Sequence, residues 1–319
     1  ALVVFPDRIR ENIRILKTFV PDVRRLRPHI KTSKSFEVAC MLMQEGITQF
    51  KCATIAEAEM LAQAGAPDVL LAYQPVGTKA VRLLNLVQSY SATSFACLTD
   101  NLECATYLDT IFKQAGKTIR VYIDLNIGMN RTGIKPDAAL ELFRQLQPLT
   151  ALQVDGLHAY DGHLRDINFD TRTEKCNQAF ASVEKLQYDI VTLTGHKLLI
   201  IAGGTPSFTI HAKRKDVVCS PGTFIYWDKG YQSILQEQPF LFAGVAVTRI
   251  VSKPDTNIVC ADLGHKAIAS ENPLTNRVFF LNAPDLQPIG HSEEHLVLQA
   301  PENHSYKVGQ LLYGIPYHI

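Results

Sequence analysis

The sequence predicts an α/β fold: a TIM-type (β/α)8 barrel followed by a C-terminal β domain that the N-terminal strand joins. Two observations lead there. Over residues 7–232, short apolar runs alternate with amphipathic helical patterns about eight times, as parallel strands joined by right-handed helical crossovers do. From about residue 233 no helical period is visible, and apolar runs separated by turn clusters take over. We therefore expect a barrel domain at 7–232 and a β domain made of 1–6 and 233–319. A doubly wound open sheet is the alternative for the first part.

Leu2–Phe5 reads as a short strand. Pro6 then opens a helix with Ile9, Ile13, Leu16 and Phe19 at helical spacing. Residues 24–34 read as the first barrel strand. Phe36, Ala39, Cys40 and Met43 mark a helix ending at Gly46. After the strand Phe50–Ala53, Thr54 with Glu57 forms a capping box for a helix to Ala64. The alternation continues with strands at 69–72, 93–98, 119–126, 152–160, 197–202 and 216–220. Helices are expected at 77–86, 101–114, 136–147, 168–193 and 206–212. The later strands read as Leu241–Val251, Ile258–Asp262, Val278–Leu281, His295–Gln299 and Gln310–Gly314, with turns such as Lys253-Pro254-Asp255 between them.

A chain of 319 residues with 46% hydrophobic content buries a sizeable core without crosslinks. The net charge of +1 gives no footprint for nucleic acid or membrane surfaces, and no apolar run approaches the ~18 residues of a membrane span. The opening Ala-Leu-Val-Val-Phe-Pro is too short, and lacks the charged leader, to read as a signal peptide. Both ends are expected to be trimmed or disordered. Seven cysteines, odd in number and with no Cys-x-x-Cys pair, point to reduced thiols and a cytoplasmic setting.

The chemistry concentrates in Arg24-Arg25-Leu26-Arg27-Pro28-His29-Ile30-Lys31-Thr32-Ser33-Lys34. Read as a strand, it puts Leu26, Pro28 and Ile30 on one face and Arg27, His29, Lys31 and Ser33 on the other. By itself that pattern suits a half-buried edge strand with a wet basic face. The chemical reading places Lys31 at the inner end of a barrel strand as a nucleophile, with Arg27 and His29 lowering its pKa. Strand 119–126 lines up Tyr122, Asp124 and Asn126, and strand 152–160 lines up His158 and Tyr160 before Asp161-Gly162-His163. Polar groups at the same end of several strands suggest a site at the barrel mouth. Gly203-Gly204-Thr205-Pro206-Ser207 and Ser220-Pro221-Gly222-Thr223 follow the last two barrel strands, where barrels hold phosphate. Each turn alone is only a turn. A lysine nucleophile facing a phosphate cradle is what pyridoxal phosphate needs.

These residues resemble a known family. Arg27-Pro28-His29-Ile30-Lys31-Thr32-Ser33-Lys34 closely resembles the pyridoxal-lysine motif of D-threonine aldolases and D-serine dehydratases, fold-type III enzymes with an alanine racemase-like N-terminal barrel. The likeness extends through Cys52-Ala53-Thr54, Asn130-Arg131-Thr132-Gly133, Tyr160-Asp161-Gly162-His163, both glycine turns, Asp262-Leu263-Gly264-His265 and Ile315-Pro316-Tyr317-His318. It implies that Lys31 carries pyridoxal phosphate as a Schiff base. His29 and Arg131 would lie by the cofactor, with Gly203, Gly204, Thr205, Gly222 and Thr223 on its phosphate. Tyr160 and His163 would face the substrate. His318 matches a ligand of a divalent metal (manganese, magnesium or zinc), whose usual second ligand falls at position 320, past the last residue. Read alone, His318 is an ordinary surface or core histidine, and His265, His291 and His295 are spare candidates. Ser33 departs from the family, which commonly has His there. The implied activity is retro-aldol cleavage of small D-3-hydroxy amino acids, with D-serine-type dehydration or racemisation as alternatives. The implied assembly is a homodimer. A non-catalytic carrier of the cofactor is a further possibility, disfavoured by the β domain.

Overall fold

In the computed structural model, which describes residues 1–319, the chain starts with a strand, β1 (Leu2–Val4), and a helix, α1 (Pro6–Phe19). It divides into two units: Leu16–Gly222, and Thr223–Ile319 together with Ala1–Ile15.

In the first unit, seven parallel strands run in sequence order: β2 (Gln49–Cys52), β3 (Asp68–Leu71), β4 (Ser94–Thr99), β5 (Ile119–Leu125), β6 (Leu152–Ala159), β7 (Leu199–Ala202) and β8 (Val217–Cys219). Between them lie α2 (Phe36–Gln44), α3 (Ile55–Gln63), α4 (Thr78–Ser89), α5 (Leu102–Gln114), α6 (Pro136–Leu146), α7 (Phe169–Thr194) and the single turn α8 (Phe208–His211). The strands are buried on both faces, so they carry runs such as Phe95-Ala96-Cys97-Leu98, all buried, rather than an alternation. Leu70, Ala96, Leu98, Tyr122, Ile201 and Val218 cluster in one core layer drawn from five different strands. Helix starts are locally encoded. Thr54 accepts from the Glu57 N–H and the Glu57 carboxylate accepts from the Ala53 N–H, the expected box displaced by one residue. Asn101 and Asn168 cap α5 and α7, and Gly195 (φ 73°) ends α7 in the left-handed region.

The segment Leu26–His29 takes the place of the eighth strand. The Arg27 N–H donates to the Cys219 carbonyl at 2.8 Å and the His29 N–H to that of Pro221 at 2.9 Å. On the other side the Lys51 N–H donates to the Pro28 carbonyl at 2.9 Å, so the segment joins β8 to β2. The expected alternation holds for Arg27 and His29 but fails at Lys31. Extended backbone stops at His29, whose Nδ1 accepts the Lys31 N–H at 3.2 Å and caps a 3-10 turn, Ile30–Thr32. Lys31 therefore stands on the turn after the strand, exposed, and not on the strand itself. Arg27 is 1% exposed; its guanidinium donates to Asp68 at 2.5 Å and to Gln49 at 2.7 Å. Burial works against the Asp68 charge, but Arg27 and Arg120 outweigh it and hold the carboxyl below its usual range.

The second unit is an antiparallel sheet. Its strands are β9 (Gly244–Asp255), β10 (Ile258–Ala261), β11 (Val278–Phe280), β12 (Gln287–His291), β13 (Leu296–Gln299) and β14 (Leu311–Pro316), after a short helix, α9 (Lys229–Ile234). They lie in the order β11-β14-β9-β10-β13-β12, and β1 pairs with β9 through Leu2 and Ala246. β9 runs through Lys253-Pro254-Asp255, which the sequence reads as a turn. The bend falls instead at Thr256-Asn257, and the exposed strand end with its shifted register tolerates the proline. β12 has no counterpart in the sequence reading, because Pro288 and Gly290 mask it. Ile250, Val259, Phe280, Leu296, Leu298 and Leu312 anchor the core of this unit. No helix is long and apolar enough to cross a membrane.

Asp68→Ala leaves the Arg27 guanidinium buried without its carboxylate, and urea unfolding should show a loss of about 3–5 kcal/mol. Because the folded pKa of Asp68 is depressed, this contribution is present above the unfolded carboxyl value of ~4 and is lost as pH falls through the folded value. The gap between wild type and variant should narrow on acidification.

Candidate active site

The mouth of the barrel holds a cavity of about 510 Å3, lined among others by His29, Lys31, Gln74, Asp100, Asp124 and Arg131. These residues lie at or just past the C-terminal strand ends, where barrel enzymes keep their chemistry. Burial, and then the Arg131 charge, push the Lys31 amine below the usual lysine range. The mouth is open to water, which screens part of that effect. His29 is held well below the usual imidazole range, by burial first and then by Lys51 and Lys31, so it is neutral.

Arg131 owes its place to a tight loop after β5. The Asn126 side chain accepts from the backbone of Gly128 and Asn130. Gly133 (φ 98°) folds the chain back so closely that a Cβ there would lie 2.7 Å from the Leu125 carbonyl carbon. The Arg131 guanidinium carbon then sits 5.3 Å from the centroid of the Tyr160 ring. Burial raises the Tyr160 phenol above its usual pKa, so it stays protonated. His163 is exposed and covers Gly128: a Cβ on that glycine would stand 2.9 Å from its Nε2.

The two glycine turns meet. The Gly222 N–H donates to the Thr205 hydroxyl at 3.2 Å. A Cβ on Gly204 would lie 2.8 Å from Cε2 of Tyr160, and one on Gly222 would lie 3.0 Å from the His29 carbonyl oxygen and 3.5 Å from the Thr32 hydroxyl. Both turns thus press against the elements that carry Tyr160 and Lys31, with room for backbone only. α8 has four residues, shorter than the expected 206–212, so the cradle is made by the turns rather than by a helix end. Thr223 follows directly and opens a 3-10 turn, Thr223–Ile225, in the second unit.

A buried network beneath the first glycine turn had no signal in the sequence. Asp161 accepts from Ser207 at 2.6 Å and from His211 Nε2 at 2.9 Å, and Cys176 lies 3.2 Å from the same nitrogen. Asp161, Cys176 and His211 are donor types that hold metals. Here Arg214 donates to His211 Nδ1, which leaves the ring proton on Nε2, and burial pushes the Cys176 thiol up to about 12. The donors satisfy one another, and the network clamps the Gly203–Ser207 loop. Burial opposes the Asp161 charge, yet the bonds from His211 and Ser207 hold its carboxyl below the usual range.

In the second unit, His318 Nδ1 lies 3.1 Å from Glu271 Oε1, both side chains partly exposed. Of the spare histidines, His265 and His291 have ring centroids 5.8 Å apart, and His291 Nε2 bonds the Leu263 carbonyl.

A lysine amine at the mouth of a parallel barrel whose last two strands end in paired glycine turns is the arrangement of one class: fold-type III pyridoxal phosphate enzymes. The chain belongs to the alanine racemase N-terminal domain family, whose family model matches residues 4–229, and residues 243–319 match a serine dehydratase domain. It is 26% identical to a D-threonine aldolase from Arthrobacter sp. over 92% of this chain and 78% of that one. It is 24% identical to a D-threo-3-hydroxyaspartate dehydratase from Delftia sp. over 72% of this chain and 61% of that one. The crystal structure of D-threonine aldolase from Filomicrobium marinum superposes with a TM-score of 0.90 at 25% identity, covering all of this chain and 87% of that one. The residues present fit pyridoxal phosphate: Lys31 supplies an amine that lines the mouth cavity together with His29 and Arg131, and its motif and both glycine turns lie within the matched family domain.

Gly204→Ala should force the Tyr160 ring aside and weaken retention of pyridoxal phosphate about tenfold or more, ~1.4 kcal/mol. Equilibrium dialysis of the cofactor against both proteins, with far-ultraviolet circular dichroism to confirm the fold, measures this.

Proposed function

We propose that this chain is a pyridoxal phosphate-dependent lyase that splits small D-3-hydroxy amino acids between Cα and Cβ, giving glycine and an aldehyde. The observation that carries the reading is the placement of Lys31: its amine opens into the mouth cavity with Arg131, one turn from the strand end that Gly222 packs against. The D-threonine aldolase relatives supply the substrate class. When bound, the cofactor supplies an electron sink for charge developing at the substrate Cα.

This chain's residues do the rest. Lys31 holds the cofactor, and its lowered pKa leaves a larger share of the amine unprotonated and nucleophilic near neutrality. Arg131, fixed by the Asn126 loop, offers a cation on the ring side. The turns at Gly203–Thr205 and Gly222–Thr223 hold the phosphate through backbone N–H groups and hydroxyls. Tyr160 stays protonated and donates hydrogen bonds, and His163, at the open rim, faces the substrate. We assign the divalent metal to His318 with Glu271 beside it; an imidazole nitrogen and a carboxylate oxygen are donors such ions accept. An ion held there would supply positive charge that acidifies a hydroxyl. Dehydration to a keto acid and ammonia is the second reading, favoured by the Delftia relative. We also place the enzyme in the cytoplasm as a homodimer, in keeping with its unpaired cysteines and with the family resemblance.

Incubation with D-threonine should release glycine, and a chelator should abolish that release until a divalent metal is restored; a racemase is indifferent to chelation. Wild type with pyridoxal phosphate should show a visible absorption band that Lys31→Ala lacks. If both proteins stay colourless with added cofactor, the reading fails. If a keto acid and ammonia appear instead of glycine, the dehydratase reading replaces it.

A further inference from the structure

The barrel wall holds a second cavity, which shares no lining residue with the one at the mouth. Ile201 and Val218 point into the core layer of the barrel, so the residues before them, Ile200 and Val217, point outward. These two are partners in register. A barrel helix normally covers such a pair. Each of α2 to α7 has nine residues or more, but α8 has four and leaves this flank open. The gap between α7 and the loop before β8 is a cavity of about 410 Å3. Its floor is Ile200, Val217 and Phe180, all buried. Tyr188 and Val191 line it from α7, and Tyr188 is 70% exposed.

Both walls are fixed. The Gln187 side chain bonds the Leu198 backbone twice, donating to its carbonyl at 2.5 Å and accepting its N–H at 3.3 Å. The Arg25 guanidinium donates to the carbonyls of Ala212 at 3.0 Å, of Val217 at 3.1 Å and of Arg214, which ties down the loop before β8. The charge of the cavity is not balanced. Lys197 pairs with Asp216 at 2.6 Å. Lys215 has no ion-pair partner, and of the lining carboxylates only Glu184 remains, 3.9 Å from Arg214 with its side chain 62% exposed. The Arg214 guanidinium carbon lies 4.5 Å from the centroid of the Phe180 ring. Its side chain donates to Asn177 at 2.5 Å and to His211 Nδ1 at 3.3 Å. Neither acceptor carries negative charge, so these bonds aim the guanidinium without neutralising it. Its other N–H groups remain for a carboxylate.

We propose that this groove is a binding site for a small aromatic acid. The ring of such a molecule lies on Phe180, Ile200 and Val217 beside Tyr188, and its carboxylate meets Arg214 and Lys215. The volume suits it: small-molecule pockets span about 300–1,000 Å3 and are mostly apolar with a few placed polar groups. Two aromatic side chains favour a flat ring, through stacking and edge contacts. The excess of positive charge favours an anion over a cation or a neutral ring. The ordered walls favour binding without rearrangement, which keeps its entropic cost low. This site is separate from the mouth and does not depend on the reaction proposed for Lys31.

The probe is 2-naphthoate, titrated into the full chain with and without saturating pyridoxal phosphate and followed by its fluorescence anisotropy. It should bind saturably, and pyridoxal phosphate should not displace it. The neutral 2-naphthylmethanol, of the same shape, should bind about tenfold more weakly. Lys215→Glu, at an exposed position, should weaken the acid about tenfold, and Val191→Trp, which fills the groove, should abolish binding. Far-ultraviolet circular dichroism checks that both variants fold. Absence of saturable binding overturns the proposal, as does binding that persists unchanged in either variant. So does an alcohol that binds as tightly as the acid, or displacement by pyridoxal phosphate, which puts the probe in the mouth. If Tyr188→Glu turns a dimer into a monomer in sedimentation, a second copy of this chain covers the groove and the proposal falls.

Discussion

The backbone hydrogen bonds that Leu26–His29 makes to Cys219 and Pro221 on one side and to Lys51 on the other govern this site. They close the ring of parallel strands and set the height at which the chain leaves it. His29 stops the extension by capping the next turn with its own ring, and Lys31 emerges there, above the last ladder bond and beside the cavity. The same closure places Arg27 against Asp68 and Gln49. One short segment thus ties barrel stability to the position of the amine.

Charge is distributed unevenly around that amine. Lys31 and Arg131 line the mouth and Lys51 lies buried against His158, while the carboxylates of Asp124, on β5, and Asp161, after β6, are each engaged by an imidazole. Asp124 binds His158 and Asp161 binds His211. A buried carboxylate needs a partner, and an imidazole satisfies it without adding a permanent charge. The two couples have different ends: one faces Lys51, the other holds Ser207 and the glycine loop.

The barrel itself says little about which reaction follows. The chain is similar both to a D-threonine aldolase and to alanine racemases, so a fold alone does not choose among reactions. In this chain three side chains of the mouth are seated on close-packed glycines: Tyr160 against Gly204, His163 against Gly128, and Arg131 on the loop that Gly133 folds back. Replacing any of these glycines moves a chemical group, because there is no space for a Cβ to take up.

Local order decided what could be read in advance. The strand and helix alternation, the cap at Thr54, the motif around Lys31 and the two glycine turns are all patterns of near neighbours, and each shows in the residues themselves. The turn at Lys31 did not, because a capping imidazole overrides alternation at a strand end. β12 was hidden by Pro288 and Gly290. Lys51 could have been noticed only as a charge inside an apolar strand. Its partner His158 lies 107 residues away, and the clamp of Asp161, Cys176 and His211 joins three separate elements. The sequence by itself determined the barrel, the lysine motif and the glycine turns, since periodicity and turn chemistry act over a few residues. Only the tertiary structure decided which amine is desolvated and which imidazole answers each carboxylate, because burial and through-space charge depend on the packing of distant strands.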